Sequence, residues 1–181
     1  MSEKTKIISE KTILRADHFT VQQTVLDIVG RGKVTRLDVI RKPTVAIFPL
    51  TENNEIYLIR EYRYLYKKHI FGAVAGFLEE GELPLECAKR ELKEEAGLTA
   101  REWQELASTD MARSVIKATV HLFLAKDLSV GESALESDEE IEVKKVPIEE
   151  AVERVLTGEI RSAASIMGIL MVNELKREGK L

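Results

Sequence analysis

Between Gly76 and Leu98 the chain sets seven glutamates (Glu79, Glu80, Glu82, Glu86, Glu91, Glu94 and Glu95) against three bases, Lys89, Arg90 and Lys93. This stretch restricts the fold more than any other. Pro84 suits a first helical turn, where its missing N–H has no partner to lose, and Gly97 is a natural stop. Leu85, Ala88 and Leu92 recur at helical spacing, so the sequence predicts a helix over 84–96. On that helix, at about 100° per residue, Glu91 and Glu95 share a face and Glu94 adjoins both. Like charges so close destabilise an ordinary helix. A divalent cation would relieve the repulsion, and carboxylate oxygens suit hard Mg²⁺ or Mn²⁺. A solvated, charged helix face is the plain alternative.

The rest of the chain interleaves strands with helices. Phe19 to Val29 is rich in β-branched residues and ends at Gly30 and Gly32, a turn signal. Thr44 to Leu50 reads as a buried strand, and Glu55 to Arg60 as its hairpin partner across an Asn53-Asn54 turn. Val120–Ala125 and Ile141–Val143 read as further strands, and 127–140 as a polar, acidic loop. Helices are expected from Pro147 and over 163–176, the latter with Ile166, Leu170 and an Ala163/Met167/Met171 ridge available for burial. The pattern is that of an α/β or α+β sandwich, with the N-terminal strands as a separate sheet.

At 181 residues the prior is one domain with a small appendage. Hydrophobic residues at 44% and charged residues at 32% exclude a disordered chain. The net charge of −4 disfavours a broad electrostatic grip on nucleic acid. The single cysteine, Cys87, allows no internal disulfide and no Cys-based zinc site, and is expected to be a packing residue. No apolar run is long enough to span a membrane, and Met1–Arg15 lacks a signal-peptide core, so a reducing cytoplasm is expected. His18, His69 and His121 have no ligand-like spacing. Tyr62, Tyr64 and Tyr66 alternate, which on a strand would place them on one face able to stack a base.

The acidic stretch satisfies G-x5-E-x7-R-E-U-x-E-E-x-G-U, with U aliphatic, at Gly76, Glu82, Arg90, Glu91, Leu92, Glu94, Glu95, Gly97 and Leu98. Chance agreement is on the order of 1 in 10⁸ per start site at ordinary residue usages. The chain thus resembles the Nudix hydrolases. The resemblance implies an α/β/α sandwich with a mixed sheet, here spanning 43–181, and a small N-terminal antiparallel β extension over 1–42 that serves dimerisation. It implies Glu91 and Glu95 as metal ligands, with the carbonyl of Ala75 as another. Glu94 would be a further ligand or a water-activating group. Arg90 would orient the glutamates, with Glu82 and Gly76 in support. The implied cofactor is Mg²⁺, with Mn²⁺ as a substitute.

Outside this box, Leu58-Ile59-Arg60-Glu61-Tyr62-Arg63 is similar to the arginine strand of the ADP-ribose and nucleoside-diphosphate-sugar pyrophosphatases, with Glu61 in place of the usual glutamine. That makes Arg60 and Arg63 candidate substrate contacts. Val74-Ala75-Gly76 matches the same group, although Gly72 stands where many members have a glutamate. Asp138-Glu139-Glu140-Ile141-Glu142-Val143 resembles the late segment that brings a glutamate over the site, making Glu139 and then Glu140 candidate catalytic groups. Ala107 to Arg113 lacks the proline-containing segment usual in ADP-ribose-specific members, while Asp110 and Arg113 are weaker substrate candidates. The implied activity is hydrolysis of nucleoside diphosphate sugars (GDP-mannose, ADP-ribose or ADP-glucose type) by a homodimer. Alternatives are a strict ADP-ribose enzyme, a dinucleoside-polyphosphate or nucleoside-triphosphate hydrolase, or a non-catalytic nucleotide-sugar sensor.

Overall fold

The β-branched residues of the first forty positions form three long strands: β1 (Thr5–Arg15), β2 (Phe19–Ile28) and β3 (Gly32–Arg41). They are followed by β4 (Thr44–Pro49), β5 (Glu55–Arg63), β6 (Lys68–Gly72), β7 (Val74–Phe77) and helix α1 (Pro84–Ala96). Then come β8 (Leu98–Asp110), β9 (Ile116–Lys117), β10 (Thr119–Val130), β11 (Ile141–Pro147), α2 (Ile148–Leu156) and α3 (Ala163–Arg177). The computed structural model describes residues 4–112, 114–131 and 141–181.

Two units emerge. The first comprises the residues up to Pro43 together with Asp110–Thr119, and the second Thr44–Thr109 with Val120–Leu181. A single cut at 42/43 therefore misses an excursion: Asp110–Thr119 leaves the second unit for the first. In the first unit the strand order is β1-β2-β3-β9. β1, β2 and β3 pair antiparallel, as the sequence leads one to expect, but β9 adds to β3 in parallel.

The second unit has one sheet of order β7-β4-β10-β8 and another of order β11-β5-β6. β4 runs parallel to β10 and antiparallel to β7, so the first of these sheets is mixed. All six β4 residues are buried, as expected for a strand covered on both faces. Side chains alternate along it. Val45 and Ile47 join Ala88 and Leu92 of α1 in one apolar cluster, while Phe48 meets Gly168 of α3. Helices thus lie on both faces of β4, an α/β/α arrangement.

Three expectations need correction. β4 and β5 do not form a hairpin: they join different sheets, and between them only an isolated Leu50–Ile56 bridge is formed. Each is apolar enough to need two strand neighbours of its own, and the Asn53-Asn54 turn, with Asn54 at φ 58, merely carries the chain across. Residues 127–130 continue β10 rather than opening a loop. On α3 the buried stripe is Ala164, Ser165, Gly168, Ile169 and Val172, and Leu170 is exposed. Gly168 sets this rotation, because a Cβ there would lie 1.9 Å from the Phe48 ring.

Candidate functional site

Helix α1 forms over the predicted span, with Pro84 in its first turn and Gly97 closing it at φ 64, where its N–H turns back to the carbonyls of Leu92 and Lys93. The buried face is Cys87, Ala88, Leu92 and, unusually, Glu95. A carboxylate only 6% exposed requires partners, and the backbone N–H of Ala75 donates to its Oε2 at 3.0 Å.

The antiparallel register of β7 on β4 sets Ala75 opposite Ala46 and Gly76 opposite Val45. Val74 and Gly76 therefore share the face turned to α1. There the Glu91 carboxylate occupies the space of a side chain: a Cβ on residue 76 would fall 1.8 Å from Glu91 Oε1. Only glycine admits Glu91 at this position.

Arg90 ties the cluster together. Its Nε and Nη2 donate to the two oxygens of Glu82, each at 3.0 Å, in the fork geometry suited to a carboxylate. Its Nη1 donates to Glu91 Oε1 at 2.8 Å and to Glu94 Oε2 at 3.0 Å, and Nη2 reaches the Phe77 carbonyl at 3.1 Å. Glu82 also accepts the N–H of Glu79 at 2.9 Å, which folds the loop ahead of α1 back on itself. The guanidinium hydrogen bond holds the Glu82 carboxyl down to a pKa of about 2, and Glu82 in turn raises that of Arg90. Burial pushes the Cys87 thiol up to about 12, in keeping with a packing residue rather than a nucleophile.

Four carboxylates and one guanidinium leave the cluster strongly negative. Its donors are hard oxygens, so in charge and chemistry it fits a divalent cation. Among the described residues no three His, Cys, Asp or Glu side chains converge in ligating geometry. Instead Glu91 and Glu94 turn toward Arg90, and one oxygen of Glu95 toward the Ala75 amide.

The structure thus brings together Ala75, Gly76, Glu82, Arg90, Glu91, Glu94 and Glu95. Arg60 and Arg63 are not brought together: three residues apart on β5, they leave opposite faces. Arg60 pairs with Glu142 of β11 at 3.3 Å, and Arg63 with Glu61 at 2.6 Å. The tyrosines do not share a face either, because β5 ends at Arg63 and 64–67 is a turn. Tyr62 meets His69 edge-on, and His121 pairs with Glu105 at 3.0 Å. Asp110 accepts the Thr119 hydroxyl at 3.2 Å. Arg113, Glu139 and Glu140 lie outside the described residues. Sequence reasoning passed over Ser165, whose hydroxyl accepts the N–H of Ala73 at 3.0 Å. A serine among apolar helix residues carries no signal of that contact.

A family model described as the NUDIX domain matches residues 40–166. The chain belongs to the Nudix family. It is 35% identical over 169 residues to an ADP-ribose pyrophosphatase of Mycobacterium tuberculosis, covering 92% of this chain and 82% of that protein. It is 32% identical over 171 residues to an ADP-ribose pyrophosphatase of Bacillus subtilis, covering 91% and 92%. A crystal structure of an ADP compounds hydrolase superposes with a TM-score of 0.80 at 27% identity, covering 99% of this chain and 98% of that one. The α/β/α arrangement is therefore the Nudix fold, and Nudix hydrolases in general depend on divalent metal. Among the described residues no helix is long and apolar enough to cross a membrane.

Proposed function

We propose that the protein hydrolyses the pyrophosphate of nucleoside diphosphate sugars, with ADP-ribose foremost, to a nucleoside monophosphate and a sugar phosphate. The observation that carries this is the α1 carboxylate cluster, admitted beside β7 by Gly76 and tied by Arg90. The two ADP-ribose pyrophosphatase relatives support the substrate class.

In this scheme Glu91, Glu95 and the Ala75 carbonyl hold Mg²⁺, or Mn²⁺ in its place. A divalent cation held there would supply charge neutralisation at the pyrophosphate and a lowered pKa for water. Glu94, whose side chain is 42% exposed and bonded to Arg90, would take a proton from water or serve as a further ligand. Arg90 keeps Glu91 and Glu94 apart from mutual repulsion, and Glu82 keeps Arg90 in place. Glu139 or Glu140 would serve as an additional base, and Arg60 and Arg63, which leave opposite faces of β5, would each contact substrate partly across the homodimer. The 1–42 extension is assigned to homodimerisation, supported by Ile7, Ile8, Ile13 and Leu14 of β1, all exposed on the chain alone. A cytoplasmic location is consistent with the lone free cysteine.

Product analysis tests the activity. The chain is incubated with Mg²⁺ and ADP-ribose, ADP-glucose, GDP-mannose, UDP-glucose, dinucleoside polyphosphates or nucleoside triphosphates. Nucleoside monophosphate plus sugar phosphate, fastest from ADP-ribose, is the expected result. Turnover of triphosphates or dinucleoside polyphosphates alone would overturn it, as would tight binding without turnover.

A further inference from the structure

Behind the segment that carries the Ala75 carbonyl lies a buried hydroxyl. Ser165, in the first turn of α3, is 3% exposed, and its Oγ accepts the backbone N–H of Ala73 at 3.0 Å. Gly72 is the last residue of β6 and pairs with Ile59 of β5; Val74 is the first residue of β7 and pairs with Ile47 of β4. Ala73 is therefore the link at which the chain leaves one sheet for the other. It is buried, so its amide needs an acceptor. Ser165 supplies it. The hydroxyl lies directly against this crossover: a Cβ on Gly72 would stand 3.4 Å from Ser165 Oγ, an ordinary contact distance.

Two residues further on, the Ala75 amide holds Glu95, and the next residue is the glycine against which Glu91 lies. Only Val74, fully buried in the α1 cluster, separates the fixed amide of Ala73 from Ala75. A displacement at Ala73 therefore passes to Ala75 with little chain to absorb it. α3 is itself anchored, because Gly168 sits directly on Phe48 of β4.

We propose that Ser165 is a positioning residue: its hydroxyl fixes the sheet crossover at Ala73, and through it the Ala75 backbone and the carboxylates of Glu95 and Glu91. The proposal rests on the function above, and Ser165 acts through Ala73 without touching substrate.

The test uses the full chain, with Ser165→Ala, Ser165→Cys (similar in volume but a weak acceptor) and Val172→Ala as a packing control on the same helix. Mn²⁺ binding is read without substrate from the electron paramagnetic resonance signal of the free ion. Half-activating Mn²⁺, KM at saturating metal and melting temperature are measured alongside. Ser165→Ala is expected to weaken Mn²⁺ binding about tenfold, as loss of a residue supporting metal ligands does. Ser165→Cys should fall between it and wild type, and KM at saturating metal should stay within about twofold. Val172→Ala should lower the melting temperature with wild-type Mn²⁺ affinity. Wild-type affinity in Ser165→Ala, or an equal loss in Val172→Ala, makes Ser165 merely structural and overturns the proposal. If Ser165→Ala does not fold, Ser165→Cys decides on the same criterion. A wild-type chain that binds no Mn²⁺ overturns the functional assignment and this proposal together; wild-type binding with indifferent Ser165 variants overturns this proposal alone.

Discussion

Gly76→Ala probes the site at its tightest contact. An ideal Cβ on residue 76 would lie 1.8 Å from Glu91 Oε1, 1.9 Å from its Cδ and 2.5 Å from Oε2. Cβ contacts under 3.0 Å essentially never occur, so the carboxylate must retreat by about 1.2 Å, the difference between 1.8 Å and 3.0 Å. The obstacle is the end of a flexible side chain, and Gly76 is not among the positive-φ residues, so the backbone accepts alanine. What the fold loses is the Arg90–Glu91 hydrogen bond, on side chains 27% and 12% exposed. A charge-assisted bond of this kind contributes about 1.5–3 kcal/mol. Arg90 retains Glu82 and Glu94, which brings the loss to or just below the lower end of that range, about 1–2 kcal/mol. At about 2–4 °C per kcal/mol for a chain of this size, the melting temperature should fall by roughly 2–8 °C. Activity should suffer far more, because misplacing a catalytic group by about 1 Å costs on the order of 100-fold in rate. The assay is steady-state release of adenosine monophosphate from ADP-ribose at saturating Mg²⁺, paired with thermal melts. A folded variant with kcat/KM near wild type would refute the reasoning, since Glu91 would then not act from its place beside Gly76.

Glu94→Gln should lower kcat by about 100-fold or more, the usual worth of a general base, with an unchanged melting temperature; comparable turnover would remove Glu94 from the chemistry. Glu82 has a folded-state pKa depressed from 4.5 to about 2 by Arg90, so its stabilisation is present above the unfolded-state value and is lost as pH falls from about 4.5 toward 2. Melts of wild type and Glu82→Gln from neutral pH down to about pH 2 should therefore differ most above 4.5 and converge at the acid end; a constant gap would contradict the linkage. Arg63→Ala should raise KM by about tenfold while leaving kcat nearly intact, the signature of lost uniform binding; an unchanged KM takes it out of the site. Gly168→Ala drives a methyl to within 1.9 Å of a fully buried Phe48 ring, and should destabilise the fold by about 1–3 kcal/mol on denaturant titration. No loss would mean that α3 can slide on β4.

How far the sequence discloses this molecule depends on whether local chemistry or tertiary contact decides each feature. The box helix is legible because its ends are written in the chain: Pro84 opens it, and Gly97 supplies the left-handed residue that closes it. The existence of β4 and β5 is legible from their apolar runs, but their partners are not. Periodicity says which faces are buried and is silent on which strand lies alongside. α3 shows a second limit. Counting large apolar residues selects Ile166 and Leu170, yet the helix turns Gly168 inward because Phe48 occupies the space of a side chain. Ranking residues by apolarity cannot register a contact whose requirement is a missing Cβ. Gly76 makes the same demand against Glu91, and only the spacing of the box marks it in the sequence. The arginines show the converse: Arg60 and Arg63 look like a pair in the sequence, and the alternation of β5 sends them apart. Both close approaches converge on β4, where Val45 lies opposite Gly76 on the α1 side and Phe48 fills the gap at Gly168 on the α3 side. A strand with no polar side chain except its buried Thr44 thereby sets where the carboxylates can stand.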